Sequence, residues 1–78
     1  MPKHDYTQEN IDTITSLIGK RIRLYDPLHD MWETGLVRRI SGSGRFFYFD
    51  YQSEKGYTIP AGRTFPKHRA LIFELIDE

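Results

Sequence analysis

The side chains of this sequence that carry chemistry are aromatic and basic, not nucleophilic. Tyr25, Trp32, the run Phe46–Tyr51 and Tyr57 fall within forty residues that read as consecutive short strands. In a strongly bent small sheet, such rings can converge on one pocket. Rings with a carboxylate close by favour a cation or a flat ring over a phosphate or a metal ion. The other chemistries lack their parts. Nucleophilic catalysis needs an activated Ser, Cys or Lys beside a base and an orienting third group. Cysteine is absent, and Ser16, Ser41, Ser43 and Ser53 stand in no motif. His29, beside Asp30 and near Glu33, and His68, between Lys67 and Arg69, show no metal-ligand spacing, so neither a metal site nor a cofactor is expected. The SGSGR segment at 41–45 is glycine-rich, but it joins two strands and opens no helix that could cradle a phosphate.

Charge offers a second candidate. The chain is neutral overall, yet residues 19–45 hold six basic against three acidic groups, whereas residues 1–18 carry a net −2 and residues 46–78 a net −1. Arg21, Arg23, Arg38, Arg39 and Arg45 are therefore the alternative candidate site, a face for nucleic acid. The same arginines also fit the ordinary solvated faces of strands, and a dedicated nucleic-acid domain shows a clearly basic balance.

These residues need elements to position them. Ile11, Ile14, Leu17 and Ile18 recur at helical spacing, which predicts an amphipathic helix over 8–18 with Thr7 or Asp5 as its cap and Gly19 as its stop. KRIRLY at 20–25 alternates, with Ile22 and Leu24 on one face, as a half-buried strand does. A second strand covers about 31–41, where the alternation slips unless a bulge intervenes near Arg38–Arg39. RFFYFDY forms the third strand, with Phe47, Phe49 and Tyr51 on one face and Phe46, Tyr48 and Asp50 on the other. GYTIP reads as a short fourth strand, AGRTFPKHR as an irregular connection and ALIFELI as a fifth strand. Five short strands with a bulged bend predict a mainly β protein, a small antiparallel barrel with a short N-terminal α-helix. One domain spans 1–78, with 1–18 as the helical extension and 19–78 as the barrel.

Residues 18–60 resemble a Tudor-like domain of the SH3-like barrel class. The resemblance rests on Gly19-Lys20 opening a strand that ends in Tyr25, on Trp32 shortly before Gly35, on Phe49-Asp50 late in the third strand, and on Tyr57 after the next turn. It implies an aromatic cage for methylated lysine or arginine, with Tyr25, Trp32, Phe49 and Tyr57 as walls and Asp50 as the nearby carboxylate. The YQSEKG turn departs from the acidic-plus-glycine turn usual in that family. The type II dihydrofolate reductase kind of oligomeric enzyme shares this barrel class, but Tyr57–Pro60 here reads Tyr-Thr-Ile-Pro in place of its Val-Gln-Ile-Tyr. The expected function is thus a non-enzymatic binding module for a protein or peptide.

The C-terminal ALIFELI is apolar on both faces, so its second face needs cover from the N-terminal helix or from a second copy in a homodimer formed through either element. No apolar run reaches the roughly 20 residues that span a bilayer, and the absence of cysteine fits a reducing compartment. The expected setting is intracellular and soluble, in cytoplasm or nucleus, without a membrane partner.

Overall fold

The computed structural model describes residues 4–76. Residues 1–3 of the helical extension and 77–78 of the expected barrel lie outside the described residues. Helix α1 spans Thr7–Leu17, and six strands follow: β1 (Arg21–Asp26), β2 (Met31–Ile40), β3 (Phe46–Gln52), β4 (Thr58–Ile59), β5 (Gly62–Thr64) and β6 (Phe73–Leu75). The helix begins one residue earlier than its apolar spacing indicates. Tyr6 holds the cap position without capping through its side chain, and Asp5 Oδ1 instead accepts the Thr7 amide hydrogen at 2.8 Å. The helix ends because Gly19 takes φ +85°, a conformation in which only glycine is unstrained, and turns its amide to the Val37 carbonyl at 2.8 Å.

All strands belong to one antiparallel sheet in the order β4-β3-β2-β1-β6, with β5 also on β3. The long strand β2 organises it. Residues 31–36 pair with β1 and residues 35–40 with β3, so the two partners overlap only around Gly35 and Leu36. Gly35 makes the crossing feasible. A Cβ there would lie 2.5 Å from the Asp50 carbonyl oxygen and 2.8 Å from Tyr51 Cα, both backbone atoms that cannot step aside. The expected bulge is present. Val37 pairs with Phe49 and Arg39 with Tyr48, so Arg38 is the extra residue and both arginines face solvent while Ile40 returns to the core side opposite Phe47.

The core gathers Ile22, Leu24, Val37, Phe47, Phe49 and Phe65 under Ile14 and Leu17 of the helix. Each such side chain stabilises the fold by about 1.5–3 kcal/mol through burial. Phe65 sits in the stretch read as an irregular connection, which in fact holds both β5 and this core residue.

The sheet differs from the expected barrel in two ways. It has six strands instead of five, because Pro60 interrupts the ladder along β3. β4 and β5 lie on the same edge, with the Phe49 amide donating to the Ala61 carbonyl between them. The sheet also remains open, since β6 at one end and β4 and β5 at the other do not pair among the described residues. The final strand is shorter than ALIFELI, three residues extended by the bonds Tyr25 N to Ile72 O and Ile76 N to Arg21 O. Helix α1 closes over the core and not over the outer side of that strand, so Ile72 stays exposed, and Leu75, on the inner face near the end of the chain, is exposed as well.

Candidate functional site

Because Ile22 and Leu24 point inward, Arg23 and Tyr25 must point outward, and antiparallel register sets Tyr25 opposite Trp32. Their ring centroids are 5.2 Å apart and tilted by 51°. The Tyr25 hydroxyl donates to Asp30 Oδ1 at 2.5 Å, and this hydrogen bond, ahead of burial, raises the phenol above its ordinary value. On the other side, the Arg23 guanidinium lies 5.1 Å from the Trp32 ring centre and donates to Glu74 at 3.1 Å. A row thus runs from Glu74 through Arg23 and Trp32 to Tyr25 and Asp30. The Trp32 ring already binds one guanidinium of its own chain.

The five residues of the expected cage do not assemble. Phe49 is fully buried in the core and is not a wall of any rim pocket. It lies on the inward face of β3, as the alternation of 47, 49 and 51 requires. Asp50 lies on the outward face opposite Leu36 and faces Arg38 at 3.5 Å. Tyr57 is two-thirds exposed at the end of the β3–β4 turn, where its backbone bonds Ser53, and its ring stacks on no other among the described residues. Of the five, only Tyr25 and Trp32 meet.

A different grouping forms beside them. The β2–β3 pairing stops at Gly35 and Tyr51, and below that point the two strands diverge. The resulting groove, about 330 Å³, runs between Met31–Thr34 and Tyr51–Glu54. Trp32 and Tyr51 are its aromatic walls, and Glu33 and Glu54 supply carboxylates. Glu33 is held by the Arg63 guanidinium, which also lies 5.6 Å from the Tyr51 ring centre. Glu33 and Arg63 carry no sequence signal, because thirty residues separate them and only the register of β2, β3 and β5 brings them together. Tyr51 was legible as part of the aromatic run, but not as a groove wall.

The arginine face is largely occupied by partners from the same chain. Arg23 bonds Glu74, Arg38 faces Asp50, Arg21 donates to Gln52 at 3.0 Å, and Arg39 lies 4.4 Å over the Tyr48 ring. Arg45 is exposed beside the β2–β3 turn. Charges held this way give a polyanion fewer free contacts than their number suggests. Two histidines have acidic partners, His4 with Glu9 and His29 with Asp26. The His29 hydrogen bond lowers the Asp26 carboxyl below its ordinary value. No group of three potential ligands is arranged for a metal ion among the described residues, and no helix there is long and apolar enough to cross a membrane. The chain matches no family model, no curated protein and no solved structure.

Proposed function

We propose that this protein is a non-enzymatic binding module of the SH3-like, Tudor-like kind that takes a basic side chain of a protein or peptide partner into the groove between Trp32 and Tyr51. The observation that carries the reading is that groove, with two aromatic walls and the exposed Glu54 carboxylate at one end of a bent sheet. A desolvated cation over such rings gains about 2 kcal/mol per good contact. The strand order, with a long β2 bent at Gly35 and shared by two partners, supports the SH3-like frame.

The contacts Arg23–Trp32 and Arg63–Tyr51 support the ligand class, since each ring attracts a guanidinium. Trimethyl-lysine and dimethyl-arginine peptides, titrated against Trp32 fluorescence, test the proposal. Saturable quenching in the unaltered chain is the expected result, with binding, followed by amide NMR in the variants, lost in Trp32→Ala and weakened in Glu54→Lys. Binding that survives both substitutions refutes it, and so does the absence of any response. Salt-sensitive binding of DNA or RNA that Arg38→Glu abolishes and Trp32→Ala spares returns the arginine face as the site.

A further inference from the structure

A second cavity, about 240 Å³, opens where the sheet fails to close, between β1, β5 and the segment leading to β6. Leu24, Phe47 and Leu71 give it apolar walls, and Asp26, Glu33, Arg63 and Arg69 give it charge. Its hydrogen-bonding groups are unequally engaged. Glu33 accepts from Arg63, and both Asp26 oxygens are in use, one with the Leu28 amide and the other with His29. Tyr25 donates to Asp30. The Arg69 guanidinium has no hydrogen-bond or ion-pair partner among the described residues, and Arg63 bonds only Glu33 and the Gly62 carbonyl there. Beside apolar wall the cavity thus holds two carboxylates already engaged within the chain, and guanidinium donors of Arg69 and Arg63 that are not.

The wall that carries Arg69 and Leu71 is fixed in place. Asn10 of the helix, almost wholly buried, donates from Nδ2 to the Pro66 and Arg69 carbonyls at 2.9 and 3.0 Å and accepts the Leu71 amide hydrogen at 2.9 Å. All three of those residues line the cavity. A wall held this way costs little to order when a ligand arrives. The volume lies below the roughly 300–1,000 Å³ of drug-sized sites, which limits the occupant to a small molecule or one terminal residue.

We propose that this cavity binds a small carboxylate with an apolar body, the carboxylate on Arg69 and the remaining donors of Arg63, the body against Leu24, Phe47 and Leu71. Two sources share that chemistry, a free aryl or alkyl acid and the C-terminal residue of a peptide. Amide NMR of the whole chain tests it with phenylacetate, with phenylacetamide as the uncharged control and acetate as the control without a body. Phenylacetate is expected to shift the Leu24, Arg63, Arg69 and Leu71 amides saturably. Phenylacetamide and acetate should bind at least about tenfold more weakly, and Arg69→Gln should cost about tenfold.

Arg69 is exposed, so Arg69→Gln retains the fold, which the unchanged remainder of its spectrum verifies. Trp32→Ala should leave phenylacetate binding intact, which separates this site from the Trp32–Tyr51 groove. N-acetyl-phenylalanine binding more tightly than phenylacetate assigns the site to a peptide terminus, and the reverse order assigns it to a free acid. Either order supports the site. Equal binding of phenylacetamide, unchanged affinity in Arg69→Gln, shifts centred on Trp32 and Tyr51, or no saturable shift overturns it.

Discussion

Removing the Asn10 side chain should destabilise the domain about as much as removing a buried apolar residue of the helix. Asn10 is 1 % exposed and makes three hydrogen bonds to backbone groups 56, 59 and 61 residues away. Each contributes a net 0.5–1.5 kcal/mol, or roughly 3 kcal/mol together. In Asn10→Ala, water entering the space left behind recovers part of this, so about 2–4 kcal/mol is expected. Small domains of this length shift by about 4–8 °C per kcal/mol, so the melting temperature should fall by some 10–25 °C. Asn10→Asp sharpens the test. It keeps an acceptor for the Leu71 amide but sets a carboxylate oxygen against the Pro66 and Arg69 carbonyls, so its loss should exceed that of Ala at neutral pH and shrink in acid, where the protonated carboxyl can donate. Urea denaturation gives the energies, and hydrogen exchange at the Leu71 amide gives the local effect. A loss below about 1 kcal/mol for both variants, or an unchanged Leu71 exchange rate, would refute the assignment of Asn10 as the anchor of segment 66–71.

Gly35→Ala should cost about 3 kcal/mol or more in denaturant midpoint, because the new methyl meets backbone at 2.5 and 2.8 Å; a loss under 1 kcal/mol would show that β2 can shift. Ile14→Ala, at a fully buried helix position in the core, should cost about 2–5 kcal/mol in the same assay. Tyr25 should titrate above the ordinary tyrosine range, and Asp30→Asn should bring it back, as read from the Tyr25 ring carbon shift. Its folded value is raised, so this contribution to stability is complete below the unfolded value near 10.0 and is lost as pH rises through the folded one. Asp5 and Asp26 are shifted the other way, by the Thr7 and His29 hydrogen bonds. Their contributions are complete above the unfolded value near 3.8 and are lost as pH falls through the lower folded values, so acid unfolding should be milder in Asp26→Asn.

Local pattern was enough wherever neighbours along the chain decide the outcome. The apolar spacing of Ile11, Ile14 and Leu17 marked the helix, and the alternation of 22–24 and 47–51 told inward from outward residues, since successive strand side chains point to opposite faces. The slip at Arg38–Arg39 marked the bulge for the same reason. Asn10 shows where that logic stops. It lies on the helix stripe four residues before Ile14, and its amide reads as a break in the pattern until segment 66–71 is seen against it.

The candidate site was legible in its residue types and not in its membership. The sequence by itself determined that Tyr25 and Trp32 would lie at the rim, that an apolar-striped helix would precede the sheet, and that no cysteine or nucleophile motif would be present. It placed Phe49 at the rim only through the family resemblance, against its own alternation. Only the tertiary structure decided that Trp32 and Tyr51 line one groove, that Glu33 meets Arg63, and that the sheet stays open beside Leu24 and Leu71. Those contacts depend on where β2–β3 pairing ends and on where Pro60 breaks the next ladder. The register of strands distant in the chain is set by how the whole core packs, and short-range spacing carries no record of it.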